Sequence, residues 1–341
     1  MDLPFEATKG AAENLLGVRF PVLMRVVLPG ILATGVLYPS VGWALSHFAS
    51  ASPFSWEQIA VYAAGTFLLG ALISTLNNEI YKIYEGRIFW PRVLRDWALG
   101  RQQARVGKLQ KAAAAARARG DNAAYSEIWY QLRIYPLDEK GQPQAARPTR
   151  LGNILAGYEE YPNNRYGMDS VFYWPRIWLQ IDKDKKEEID SQWSLADGFL
   201  TLSAISLAGG VVWILQSLAF ALRAVSFSIP LRSPGKAALA SAGWLLLGYV
   251  WYRLSLPLHR ENGEVFKSIF DLYRSKVWNL THLRPNEKEL WKATWAYLQY
   301  LRLKCPNCGK SNIATSDKCA SCGFGLTEHR NTLRDSGKFP L

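Results

Sequence analysis

Only four of the 341 residues are cysteine, and all four fall between Cys305 and Cys322. None is left to cross-link the rest of the chain. This excludes a disulfide-stapled secreted scaffold and fits a protein whose thiols stay reduced. Histidine is as scarce: His47, His259, His282 and His329 show neither metal nor triad spacing. The chain has no G-x-S-x-G with an accompanying His and acid, no phosphate-binding P-loop and no dinucleotide fingerprint. No catalytic residue is nominated, and the expectation is a protein that is not an enzyme. Acidic residues are absent from the four longest apolar blocks. That absence counts against a proton- or cation-coupled carrier, which needs ionisable groups at membrane depth.

A mean hydropathy of -0.07 and an apolar fraction of 49% resemble those of an ordinary soluble protein. The averages hide those four blocks and a very polar remainder. Val26 to Leu45 is uncharged, as are Ile59 to Leu76, Phe199 to Leu222 and Ala237 to Tyr252. The last extends to Leu258 if Arg253 snorkels. About 20 residues cross a hydrocarbon core about 30 Å thick, so each block is read as a transmembrane helix. Gly65 and Gly70 lie close to the small-residue spacing of packed membrane helices. The 14 Trp, 16 Tyr and 14 Phe suit membrane–water interfaces. Asp2 and Glu6 precede the first Lys, and no small-residue cleavage pattern follows the first block, which is therefore read as a retained span.

Lys and Arg set the orientation. The linker Ser46 to Gln58 has none. The segment Asn77 to Ala196 has 19, and the chain from Arg253 onward has 15. The second linker, Arg223 to Lys236, has three and mildly opposes the pattern. The expectation is a multi-pass membrane protein with both termini cytoplasmic. Topology and lipid headgroups then account for most of the net charge of +12 without nucleic acid.

The fold class read from these patterns is an all-α integral membrane protein. It has four transmembrane helices in two hairpins, a helical cytoplasmic insert and a small C-terminal module that carries the four cysteines. The expected divisions are 1–82 (first hairpin), 83–196 (insert), 197–258 (second hairpin), 259–303 (helical pair), 304–326 (cysteine module) and 327–341 (polar tail). Within the insert, Glu79 to Trp97 is expected as a helix broken near Pro91, and Arg101 to Arg119 as an Ala-rich helix. Tyr125 to Tyr135 and Leu151 to Glu160 are expected as further helices, with a loop over Pro136 to Thr149. Asp182 to Asp190 is a solvated, charged approach to the third span. After the fourth span, Glu264 to Leu283 and Glu287 to Leu303 are expected as two helices.

The strongest motif is Cys305-Pro-Asn-Cys308-Gly followed by Cys319-Ala-Ser-Cys322-Gly. Each turn lets two thiolates converge, and two turns supply the four sulfurs of a tetrahedral site. It resembles the zinc-ribbon family at all four ligand positions. The resemblance implies a structural Zn2+ held by Cys305, Cys308, Cys319 and Cys322, in a module that docks protein or nucleic acid.

A second resemblance rests on Arg147-Pro-Thr-Arg-Leu-Gly-Asn153, Glu160-Tyr-Pro162, Arg165-Tyr-Gly-Met-Asp169 and Trp174-Pro-Arg176. With Asn78, Tyr84-Glu-Gly86 and Phe270-Asp-Leu-Tyr-Arg274, these look like pieces of an uncharacterised family of bacterial multi-pass membrane proteins, which implies a membrane fold and no activity. In the same stretch Arg150, Asn153, Arg165 and Asp169 lie among many aromatics and are candidates for an interaction surface. Arg101, Arg105, Lys108 and Arg119 share a helical stripe that could meet nucleic acid or acidic lipid, although it lacks the interleaved aromatics of single-strand binders. Phe89-Trp-Pro-Arg92 and Tyr173-Trp-Pro-Arg176 echo each other as interfacial anchors. The functional expectation is a membrane-anchored scaffold or sensor that engages a cytoplasmic protein partner. A channel or transporter formed as a homo-oligomer and a membrane-tethered nucleic-acid binder are the alternatives.

Overall fold

The computed structural model describes residues 18–37, 56–138, 141–221, 234–277, 302–308, 311–313 and 317–327. The described chain is predominantly helical. Its elements are α1 (Phe20–Leu37), α2 (Trp56–Thr75), α3 (Asn77–Glu85), α4 (Arg92–Ala118), α5 (Asn122–Leu132), α6 (Arg150–Glu159), α7 (Tyr161–Tyr166), α8 (Ser170–Leu179), α9 (Lys183–Ala221) and α10 (Pro234–Val277). Two short strands, β1 (Arg302–Lys304) and β2 (Ser311–Ile313), pair antiparallel with Leu303 opposite Asn312.

Helix α1 begins six residues before the apolar block expected at Val26. Pro21 at its first turn needs no amide partner there and favours the start. A π-helical turn over Leu23–Val27 then carries Arg25. The part of this block beyond Leu37 lies outside the described residues. Block two forms α2, which ends at Thr75 and bends by 51° into α3. Block three through Ala221 lies inside α9, whose first turns are the charged stretch near Asp182 to Asp190; its last residue, 222, lies outside the described residues.

The fourth block and the helix expected from Glu264 are one element, α10. It runs through Pro257, which removes a single backbone donor. The helix expected over Glu287 to Leu303 lies outside the described residues, except that Arg302 and Leu303 belong to β1. Strand pairing claims those two because the first cysteine turn follows at once.

Among the described residues, two helices, α1 and the Lys183–Leu215 part of α9, are long and apolar enough to cross a membrane. The number is three if the bent pair α2–α3 is one span. Helix α10 is not among them.

The chain divides into two compact units. The first holds Met1–Ala98, Pro148–Gly152 and Asp184–Asn262; the second holds Leu99–Arg147, Asn153–Lys183 and Gly263–Leu341. In the first unit, α1 packs on α2 where Gly30 faces Thr66 and Gly70. Val36, Ala33 and Ile205 form a small core joined by Leu69, Ile73 and Trp244. Phe199 stacks on Trp251 with ring centroids 5.3 Å apart. Outward faces of the same helices carry exposed Phe67, Leu68, Leu72, Val211, Leu215, Leu246 and Leu254. Gly86 ends α3 in the left-handed conformation at φ 81°, and the Pro148 ring packs against its Cα where a side chain would stand.

The second unit is built on an aromatic core. Trp174 stacks on Phe266 at 4.8 Å, Phe266 meets Phe270 at 5.0 Å, and Tyr158 meets Phe266 at 5.1 Å. Asp121 caps α5 by accepting from the Ala124 amide, and Asp169 caps α8 by accepting from the Phe172 amide.

Candidate functional site

Among the described residues, three places concentrate chemistry. The first is the four-cysteine cluster in the second unit. The sulfurs of Cys305, Cys308, Cys319 and Cys322 all lie within 4.8 Å of one another. Cys305 Sγ is 3.6 Å from Cys322 Sγ, and Cys308 Sγ is 3.6 Å from Cys319 Sγ. Four sulfurs about 2.3 Å from a common centre would be about 3.8 Å apart, so the donor set fits one tetrahedral metal ion. Cys305 and Cys319 are buried against Leu326, while Cys308 and Cys322 are exposed. A local turn holds the second pair: the Gly323 amide donates to the Cys319 carbonyl at 2.9 Å, and the Cys319 amide donates to the Phe324 carbonyl at 2.8 Å.

The second place is a cleft of about 910 Å³, also in the second unit. Tyr125, Trp129 and Tyr130 of α5 form one wall, and α7 and α10 supply Tyr161, Arg165, Glu264, Lys267 and Asp271. Its acidic groups are already engaged. Glu264 pairs with Arg133 at 3.0 Å and with Lys267 at 3.0 Å. Asp271 accepts hydrogen bonds from the hydroxyls of Tyr161 at 3.0 Å and Tyr166 at 2.6 Å. Burial, reinforced by the Asp271 carboxylate, pushes both phenols above their ordinary range, so they remain donors. Arg165 is exposed and makes no ion pair with a described residue. The cleft therefore presents aromatic faces and one uncommitted guanidinium.

The third place is a polar cluster in the first unit. Arg25 places Nη1 2.7 Å from Asp190 Oδ1 and Nε 2.8 Å from Asp197 Oδ2. The Tyr81 hydroxyl lies 2.5 Å from Asp197 Oδ1 and 2.7 Å from His259 Nε2. His259 Nδ1 is 2.8 Å from the Ser255 carbonyl oxygen. One residue from each of α1, α3 and α10, and two from α9, thus form a continuous network. Beside it, Tyr84 lies 2.6 Å from Ser203 Oγ, which donates to the Gly248 carbonyl at 2.7 Å.

The residues picked out in the sequence are dispersed. Asn153 is buried; its carboxamide oxygen accepts from the Ala146 and Arg147 amides, and its nitrogen donates to the Arg147 carbonyl. It holds a loop and offers nothing to a surface. Asp169 is the α8 cap, Arg150 is half-buried at the start of α6, and Arg165 alone of the four lines the cleft. Arg101, Arg105 and Lys108 are exposed on α4, with Arg119 exposed one residue past its end.

Sequence reasoning missed the polar cluster. Arg25, Asp197 and His259 each lie within two residues of an apolar block, and that flanking position was the available signal. The cleft had no such signal, because its walls come from three distant stretches. The chain matches no known protein family, no curated protein and no solved structure.

Proposed function

We propose that this is a multi-pass membrane protein whose second unit is a cytoplasmic binding module: a membrane-anchored scaffold or sensor. The observation that carries the reading is the cleft, whose aromatic walls and pre-paired acids leave Arg165 free. Such a surface suits an extended peptide of a protein partner that brings an acidic side chain. Tyr and Trp supply large contact area at small entropic cost, and Arg reads a carboxylate through two parallel hydrogen bonds.

The membrane assignment comprises four spans in two hairpins, with α10 supplying the fourth, in a bacterial inner membrane with both termini cytoplasmic. It draws on the apolar helices and on their exposed Leu, Val and Phe side chains, which lipid would cover. The Lys and Arg asymmetry supplies the orientation. The four cysteines are assigned to Zn2+ in a small ribbon. Bound there, the ion supplies rigidity and no reactive position, because four thiolates fill its shell. The chain's part is to hold the two turns in register through β1 and β2 and to seat Cys305 and Cys319 on Leu326.

The test is purification of the full chain from native membranes in mild detergent. Wild type is compared with a Trp129→Ala/Arg165→Ala variant and with a Cys305→Ser/Cys308→Ser variant. A stoichiometric protein partner that is lost from a monodisperse cleft variant supports the reading. A homo-oligomer without a partner, giving flux in reconstituted vesicles, would replace it with the channel or transporter reading.

A further inference from the structure

The hydrogen bonds of the polar cluster in the first unit do not balance with the ordinary number of protons. A carbonyl oxygen only accepts, so the contact between His259 Nδ1 and the Ser255 carbonyl requires a proton on Nδ1. A neutral imidazole then has a bare Nε2, which must accept from Tyr81. The single hydroxyl hydrogen of Tyr81 is thereby used. Yet Asp197 Oδ1 lies 2.5 Å from the same hydroxyl oxygen. Two acceptors would face each other at that distance unless a further proton lies between them. Ionised Asp197 with an imidazolium at His259 satisfies every contact, and so does a carboxylic acid at Asp197 with neutral His259. Either arrangement carries one proton more than ionised Asp197 with neutral His259.

The neighbouring chain is a control within the same unit. Ser203 donates to the Gly248 carbonyl and Tyr84 donates to Ser203, so each contact there has its own hydrogen. Charge points the same way. Helix α1 faces the cluster with Arg25, α3 with Tyr81, α9 with Asp190 and Asp197, and α10 with His259. Arg25 divides its guanidinium between the two carboxylates, so the charge of Asp197 is only partly offset and a further proton is favoured beside it. His259 is only 2% exposed, a setting in which an uncompensated charge is costly.

We propose that Asp197, Tyr81 and His259 form a proton-binding site that holds one shared proton in the resting protein. Release of that proton to solvent leaves one Tyr81 hydrogen between two acceptors, so one of the two contacts must open. The site joins α3, α9 and α10, and its occupancy therefore sets how these helices are tied. This inference is independent of what the cleft in the second unit binds.

The experiment uses the full-length protein in lipid nanodiscs with His47, His282 and His329 changed to Gln, leaving His259 as the single histidine. Nitrogen-15 NMR of the imidazole and infrared detection of a protonated carboxyl are recorded together across pH. The expected result at neutral pH is either a doubly protonated imidazole, or a neutral one accompanied by a carboxylic acid band that Asp197→Asn removes. Tyr81→Phe is expected to weaken proton retention by about tenfold, a shift of about one pH unit. A neutral imidazole with no protonated carboxyl at neutral pH would overturn the proposal. That result is read on a chain with an intact cluster, so it stands even if the Asp197 and Tyr81 variants fail to fold.

Discussion

Gly30 and Gly70 meet across the packing of α1 on α2, and a Cβ built on either would strike a backbone carbonyl of the other helix, Thr66 from Gly30 and Val26 from Gly70. Backbone cannot yield as a side-chain tip can. Each residue is therefore held to glycine by proximity, although neither has an unusual backbone angle. Gly70→Ala and Gly30→Ala should each destabilise the full-length protein by about 1–3 kcal/mol, the usual cost of overpacking. Gly65→Ala, with open space around it, should cost far less. Thermal unfolding in detergent separates the three. Equal losses at Gly65 and Gly70 would mean that this crossing is not the native one.

Asn153 ties residues 146 and 147 to α6 through three hydrogen bonds from a buried side chain. Asn153→Ala leaves two amides and a carbonyl without that partner, at about 1–3 kcal/mol for each group left unsatisfied. Asn153→Asp keeps the acceptor but turns an oxygen toward the Arg147 carbonyl, so it should not rescue the loss. Hydrogen exchange should quicken at the amides of Ala146 and Arg147 in both variants. Unchanged protection would remove the stapling role.

Glu160 is a pH-dependent element of the second unit. Burial raises its carboxyl pKa above the ordinary 4.5, with the charge of Arg147 partly opposing. A raised pKa means the folded state binds the proton more tightly than the unfolded one. The stability it contributes is complete below the unfolded value and is lost as pH rises through the folded value. Glu160→Gln should therefore raise Tm relative to wild type at pH 7, and the advantage should shrink towards pH 4. An advantage that grows on acidification would reverse the assignment.

The cysteine cluster should bind one zinc ion per chain, lost in Cys305→Ser/Cys308→Ser. Because thiolates must be free of protons to ligate, acid should release the metal. Elemental analysis of the purified protein against pH checks both statements. A chain that is metal-free as isolated and fails to take up added Zn2+ at neutral pH would refute the assignment.

Much was legible in the sequence because local chemistry dictates it. Uncharged apolar blocks and an Ala-rich run place helices through short-range energetics alone. The two C-x-x-C-G turns likewise bring their thiols together through local backbone geometry and one strand pairing.

Other features depended on which helices meet. The fourth span and the helix from Glu264 are expected as separate elements, yet α10 runs through Pro257 and joins them, because losing one backbone bond costs less than breaking a packed helix. Arg25, Asp197 and His259 are far apart in sequence, and nothing in their spacing joins them. Only the packing of α1, α3, α9 and α10 brings them onto Tyr81. The Arg150–Asp169 stretch looked like one surface because its residues are close in sequence. Packing sends Asn153 inward and leaves Arg165 on the cleft, since hydrogen-bond demand in a buried loop outweighs polarity. The sequence by itself determined the helices, the apolar blocks and the cysteine set, all products of neighbours along the chain. The tertiary structure decided the cleft and the proton-counting cluster, because both arise from side chains that meet only when distant helices pack.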